Sequence, residues 1–218
     1  MSTGSPGAPV DVGVLDYGSG NLHSACRALD AAGARVHLSS DFDELRACQR
    51  LVVPGVGAFA ACMDQLRGVG GADFILEWVA GHRPVLGICV GHQIFFAGGR
   101  EHGVEAAGLG IYDGTVDRLS SARLPHMGWN TVQVGQGSRL FEGIGDQRFY
   151  FVHSYGAHGG LPEGAVVSWS EHEGDRFVAA VEYGQVCSTQ FHPEKSGAAG
   201  ARLLRNWLRL PAAADRVE

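Results

Sequence analysis

The stretch "PVLGICVGHQIFFA" (Pro84–Ala97) decides how this chain is read. It sets Cys89 between Gly87 and Gly91, behind one short apolar run and ahead of another. Pro84–Cys89 reads as a buried strand, and the residues from about Gly91 read as a helix. A cysteine in such a place is ordinarily core filler, because free cysteine is among the most buried residue types. Yet Gly-x-Cys-x-Gly between a strand and a helix also has the form of a nucleophile elbow. There the nucleophile sits on a sharp turn, and a side chain at either glycine would collide with the strand or the helix. A helix N-terminus aimed at the sulfur favours thiolate over thiol. The N–H of Val90 then becomes available to an oxyanion.

Outward from the elbow, strand-like runs alternate with helical ones. "VDVGVLDY" (10–17), "ARVHL" (34–38), "RLVVPG" (50–55) and "PVLGIC" (84–89) read as strands, with helices over Leu22–Ala32, Phe59–Leu66 and Asp73–Val79. This alternation predicts an α/β fold with a doubly wound, mostly parallel sheet. The later pieces are short and separated by turn residues: 108–119, "TVQV" (131–134), "RFYFVHSYGAH" (148–158), "AVVSW" (165–169), "FVAAVEY" (177–183) and "QVCSTQF" (185–191). They predict an antiparallel C-terminal extension, closed by a helix over Gly197–Leu210 that stops at Pro211. One domain over residues 10–210 is expected, between tails at 1–9 and 211–218.

Composition narrows the function. The 218 residues carry a formal charge of −6 with no Lys/Arg run, which gives no support for nucleic-acid or anionic-membrane binding. The five cysteines are scattered, with no Cys-x-x-Cys pair and no His-Glu-x-x-His, so neither a metal site nor a cofactor is expected. A reduced, cytoplasmic protein is the natural expectation. The start "MSTGSPGAPV" has neither a basic n-region nor an apolar h-region. The longest uncharged run, Pro84–Gly99, is too short and polar to span a bilayer, which needs about 20 apolar residues. The "YGSGN" turn (17–21) lacks the third glycine of the dinucleotide fingerprint.

A thiolate needs a base, and the base needs an orienting group. Among the ten histidines, His192 stands out in "TQFHPEKSG" (Thr189–Gly197). Glu194 lies two residues on, and in an extended segment both project to one side. Pro193 fixes its own φ and pushes His192 out of the helical region. Glu194 can then take the Nδ1–H of His192, leaving Nε2 for Cys89. "VVPGVGAF" (52–59) places Gly55 and Gly57 around Val56 at the end of a parallel strand, where α/β folds build their sites. This loop reads as the second oxyanion donor, through Val56 and Gly57.

With Cys89, His192 and Glu194 in place, the chain resembles the class I, triad-type glutamine amidotransferases over nearly its whole length. Three stretches, "LPHMGWN" (124–130), "FYFVHSY" (149–155) and "FHPEKSG" (191–197), resemble the glutaminase subunits of imidazole glycerol phosphate synthases. The resemblance implies that Cys89 attacks the side-chain amide of L-glutamine, with His192 as base and acid. It implies that Gly55, Gln93 and the backbone of His153, Ser154 and Tyr155 hold the substrate. It also implies that ammonia passes to a (βα)8-barrel cyclase subunit. Gly18, Asn21, His126, Met127, Trp129, Asn130 and Tyr150 would face that partner. Two positions depart from the family pattern: His92 stands where Met is frequent, and Ala97 where an acidic residue is frequent. Ala97 leaves the holder of the amino end of glutamine open. A different member of the superfamily, such as an anthranilate synthase glutaminase or a γ-glutamyl hydrolase, is disfavoured by Met-Gly-Trp-Asn. A cysteine α/β-hydrolase is disfavoured by the order of His192 and Glu194. A degenerate, inactive chain is disfavoured by the intact triad.

Overall fold

The computed structural model describes residues 8–211. The expected tails at 1–9 and 211–218 lie outside the described residues, apart from 8, 9 and 211. In chain order the elements are Asp11–Leu15 (β1), Leu22–Ala32 (α1), Arg35–Ser39 (β2), Phe42–Ala47 (α2) and Arg50–Gly55 (β3). Phe59–Gly68 (α3), Gly71–Ala80 (α4), Val85–Cys89 (β4), Val90–Gln93 (α5), Phe96–Glu101 (β5) and Val104–Ala107 (β6) follow. Next come Tyr112–Arg118 (β7), His126–Thr131 (β8), Arg148–His153 (β9) and Tyr155–Ala157 (β10). Val166–His172 (β11), Asp175–Tyr183 (β12), Val186–Thr189 (β13), a 3-10 turn at Pro193–Lys195 and Gly197–Leu208 (α6) complete the chain.

The main sheet has seven strands in the order β11-β12-β13-β4-β3-β1-β2. Pairing is parallel from β2 through β13, while β11 and β12 run antiparallel at one edge. The α/β class and the antiparallel extension are therefore as the sequence predicts. The central strands β3, β4 and β13 are buried along their whole length, which suits the apolar runs 51–54 and Val85–Cys89. Helix α1 packs against α6, and α3 against α4.

The sequence reading departs from the structure after the elbow. The helix expected from Gly91 is a single turn, Val90–Gln93, and the chain resumes as β5 at Phe96. Gly98 and Gly99 make a poor helix interior, and β5 instead pairs with β7 and β6 in a four-stranded sheet ordered β10-β7-β5-β6. Four residues make a weak macrodipole, so the helix-tip argument for the thiolate loses most of its weight. "TVQV" is no strand of its own; only Gln133 bridges, to Trp169. The strand there is β8, the Pro-His-Met-Gly-Trp-Asn motif itself, which pairs with β9 as a separate two-stranded ribbon.

Candidate active site

Three neighbouring parallel strands deliver the site at their C-terminal ends. Gly55, which ends β3, sits opposite Cys89, which ends β4. On the other side, Thr189 at the end of β13 sits opposite Ile88, so Gln190–His192 emerge beside the nucleophile. Cys89 itself adopts φ 58° and ψ −112°. This backbone is strained for a residue with a Cβ, at a cost of about 1–3 kcal/mol. The elbow glycines are there because of close approach. A Cβ on Gly91 would stand 1.9 Å from Val53 O, and one on Gly87 would stand 2.6 Å from Gly91 O.

Cys89 is 5% exposed, and it lines a cavity of about 500 Å³ with Val56, Gly57, Val90, Gln93 and His192. Ser154 and Tyr155 form another part of its wall. The expectation that these residues converge is met. Gly55 is buried at the strand end beneath them, where a Cβ would meet Gly91 N at 2.7 Å.

His192 is held by β9. Its N–H donates to Tyr150 O at 2.9 Å, and Ser196 Oγ donates to His192 O at 2.6 Å while accepting from Tyr150 N. Phe191 stacks among Phe149 and Phe151, with ring centroids 4.5 and 5.5 Å away. The His192 ring pairs Nδ1 with Glu194 Oε1 at 2.7 Å, and both side chains are 3% exposed. Nδ1–H donating to the carboxylate leaves Nε2 free of any closed hydrogen bond. Burial opposes the imidazolium, but the neighbouring Cys89 sulfur and the Glu194 carboxylate both favour it. The balance lifts His192 to about 9.

Two expected roles are not met in this geometry. Val56 does not present its N–H as an oxyanion donor: that N–H goes to Ser19 Oγ at 3.3 Å. Ser19 Oγ and Cys62 Sγ in turn donate to Val56 O at 2.8 and 3.2 Å. Gly57 follows at φ 94°, a conformation in which glycine is favoured.

His126 is not on the partner-facing surface either, being 3% exposed. Alternation along β8 turns it inward, where it stacks on Phe151 and His172 with ring centroids 4.8 and 4.3 Å away. Asn130, partly buried, donates Nδ2 to Glu171 O of β11 at 2.8 Å and stands 3.2 Å from His126 Nε2. Met127 and Trp129 do point outward, 61% and 48% exposed, and Tyr150 meets the Trp129 ring edge-on at 6.0 Å. Gly18 and Asn21 are exposed.

From His126 a directed chain runs inward. His126 Nδ1 lies 3.0 Å from His153 Nε2, and His153 Nδ1 lies 2.8 Å from Tyr155 O. The carbonyl must accept, so His153 donates through Nδ1 and receives through Nε2. Both rings are neutral in this pattern: burial pushes His126 down to about 4 and His153 to about 3. Tyr155 O also accepts from Gln93 Nε2 at 2.9 Å.

Sequence reasoning missed the cavity-lining Glu101 and, outside the cavity lining, the buried Gln190. Glu101, at the end of β5, lines the cavity while its Oε2 accepts from Phe59 N at 2.7 Å. It brings the carboxylate that Ala97 lacks, and a helix running on from Gly91 would have hidden that. Gln190 is fully buried and bonded to Gln93. Among the described residues, no group of His, Cys, Asp and Glu is arranged to hold a metal ion.

A cysteine on a strained strand-end turn, facing a carboxylate-paired histidine across a cavity, defines the class of thiol-dependent amidotransferases and hydrolases. The family model of class-I glutamine amidotransferases matches residues 13–210. Solved structures show the same fold: a glutamine amidotransferase at TM-score 0.72, 23% identical, covering 90% of this chain and 96% of that one. A putative GMP synthase protein from Thermoplasma acidophilum has a TM-score of 0.69 at 22% identity, covering 92% of both chains. Curated relatives narrow the match. The imidazole glycerol phosphate synthase subunit HisH of Corynebacterium diphtheriae is 56% identical, over 91% of this chain and 98% of its own. The subunit of that name from Mycolicibacterium paratuberculosis is 58% identical, over 89% and 95%. The chain belongs to the class-I glutamine amidotransferase family and, within it, to the HisH subunits of imidazole glycerol phosphate synthase.

Proposed function

We propose that this chain, as one domain over residues 10–210, is the glutaminase subunit of an imidazole glycerol phosphate synthase in histidine biosynthesis. Cys89 attacks the side-chain amide carbon of L-glutamine. His192 takes the thiol proton through Nε2 and passes it to the departing nitrogen, so ammonia leaves and a γ-glutamyl thioester remains. Water, activated by the same imidazole, then releases glutamate and restores the thiol. Glu194 holds the ring and supports the imidazolium. Val90 N–H meets the oxyanion. The single observation that carries the reading is geometric: Cys89 and His192 line one cavity, with Nδ1 of the ring bonded to Glu194 at 2.7 Å and Nε2 left open.

Glutamine lies against Gln93, Gly55 and the His153–Tyr155 wall, and the Glu101 carboxylate suits its α-ammonium. The reaction balances with glutamine and water alone and needs no cofactor or metal. Ammonia becomes ammonium in bulk water near neutral pH and stops being a nucleophile, so it must be handed over within a sealed interface. Exposed Met127 and Trp129, backed by the half-buried Tyr150, supply an aromatic and apolar anchor for a (βα)8-barrel cyclase, and the exposed Gly18 and Asn21 are assigned to the same partner. Among the described residues no helix is long and apolar enough to cross a membrane, and the biosynthetic role assigns the enzyme to the cytoplasm.

The Ser19 bond to Val56 N–H leaves the oxyanion site one donor short. Glutamine hydrolysis is therefore slow for the chain alone and rises at least a hundredfold when the cyclase and its nucleotide bind. Glutamate release, measured with and without the cyclase, tests this. Equal turnover in the two conditions refutes it.

A further inference from the structure

Gln190 is 0% exposed and has no part in the triad. Its amide lies between two groups that do have parts in the site. Gln93 Nε2 donates to Tyr155 O at 2.9 Å and to Gln190 Oε1 at 2.9 Å. Gln190 Nε2 then faces Cys89 Sγ at 4.0 Å, the outer reach of a hydrogen bond to sulfur.

The orientation of both amides is imposed by this arrangement. A backbone carbonyl can only accept, so the nitrogen end of Gln93 must be the one turned to Tyr155. That nitrogen obliges Gln190 to offer its oxygen, which leaves the Gln190 nitrogen for the sulfur. Flipping either amide would set two buried oxygens or two buried nitrogens face to face, leaving buried groups unsatisfied. The chain His126, His153, Tyr155 O locks the far end. Both hydrogens of Gln93 Nε2 are thus consumed, and the atom left for the cavity is its oxygen.

We propose that Gln190 is a positioning residue of the glutaminase site. Its oxygen holds Gln93 so that an acceptor faces the N–H groups of the substrate, and its N–H group steadies the thiolate of Cys89. The substrate half of this inference rests on the glutaminase reading; the Cys89 half does not. Gln190→Glu keeps an oxygen toward Gln93 but turns an anion on the sulfur, whereas Gln190→Met removes both contacts at similar volume.

The test uses the full chain assembled with its cyclase. Alkylation of Cys89 by iodoacetamide is followed against pH on the Cys89 peptide, beside kcat and KM for glutamine. For Gln190→Glu, alkylation at pH 7 falls about tenfold and recovers at higher pH, a shift of about one pH unit, while KM stays within twofold. For Gln190→Met, alkylation falls and KM rises about tenfold, the scale of one lost polar contact. A native alkylation profile together with a native KM in Gln190→Met overturns the proposal. So does a uniform loss of all rates that tracks a lowered melting temperature, since that marks a purely structural residue. If Gln190→Glu does not fold, Gln190→Met decides alone. An alkylation shift in a chain that hydrolyses no glutamine overturns the glutaminase reading and leaves the Gln190–Cys89 contact supported.

Discussion

His192 and the pair His126–His153 make an instructive contrast, because burial is nearly the same for all three: 2%, 3% and 7% exposed. They nevertheless titrate in opposite directions. His126 and His153 see other rings, a side-chain amide and a carbonyl, and burial, helped by the neighbouring imidazoles, pushes them down to about 4 and 3. His192 sees a carboxylate and the Cys89 sulfur, whose anionic forms overcome burial and lift it to about 9. A buried imidazole is therefore neutral scaffolding by default, and it becomes a proton carrier where the chain supplies an anion. In the His-Pro-Glu segment that anion comes two residues later, across a turn preset by Pro193. The β8–β9 ribbon has no such group against its ring pair, and its histidines serve as rigid, directed hydrogen-bonding parts.

The largest expected effect breaks the reactive side of this contrast. Cys89→Ala lowers glutamine-dependent synthesis at least a thousandfold, about 4 kcal/mol of barrier, while added ammonia still sustains the cyclase. Loss of both activities would mean that the interface is wrongly placed. Next is the elbow: Gly91→Ala drives a methyl into Val53 O and costs about 3 kcal/mol or more. Urea unfolding gives the value, and a loss below 1 kcal/mol refutes the close approach.

Glu194→Gln sharpens the contrast directly, removing one of the two groups that raise His192. NMR titration should show the imidazole midpoint falling below about 9, and kcat dropping about a hundredfold. The sign for stability follows from linkage. A raised folded pKa stabilises fully below about 6.5 and is lost as pH climbs through about 9. The alkaline loss is therefore smaller and complete at a lower pH in the variant, and unchanged pH dependence counts against the pair.

Trp129→Ala weakens cyclase binding by about 2 kcal/mol and leaves the melting temperature within two degrees. Calorimetry that finds native affinity removes Trp129 from the interface. The smallest effect is His126→Phe, which keeps the stacking but leaves His153 Nε2 unmatched, at about 1 kcal/mol near pH 7. The depressed pKa of His126 stabilises above about 6.5 and is lost as pH falls through about 4. The native chain and the variant should thus converge in stability on the acid side, and a gap that widens there refutes the neutral assignment.

Legibility followed the range of the interactions. Strand β3 and helix α1 matched their expected bounds, since each carries a local period and, for α1, a glycine stop. The triad was legible because its members lie in two short segments whose glycines and proline constrain the backbone locally. The single-turn α5 was not, because the pairing of β5 with β7 overrode a run that reads as helix. In Pro-His-Met-Gly-Trp-Asn, strand alternation divides one motif into inward His126 and Asn130 and outward Met127 and Trp129. Taken as a linear string, it looked like a single surface.

The amino-acid sequence by itself determined the parallel α/β frame, the elbow at Cys89 and the His192–Glu194 pair, because each follows from spacing within a few residues. Only the tertiary structure decided that Val56 turns its N–H to Ser19, that Glu101 reaches the pocket and that Gln190 spans Gln93 and Cys89. Those facts depend on which groups from distant segments meet. The partner of a buried donor or acceptor is chosen by three-dimensional packing, and neighbours in the sequence do not reveal it.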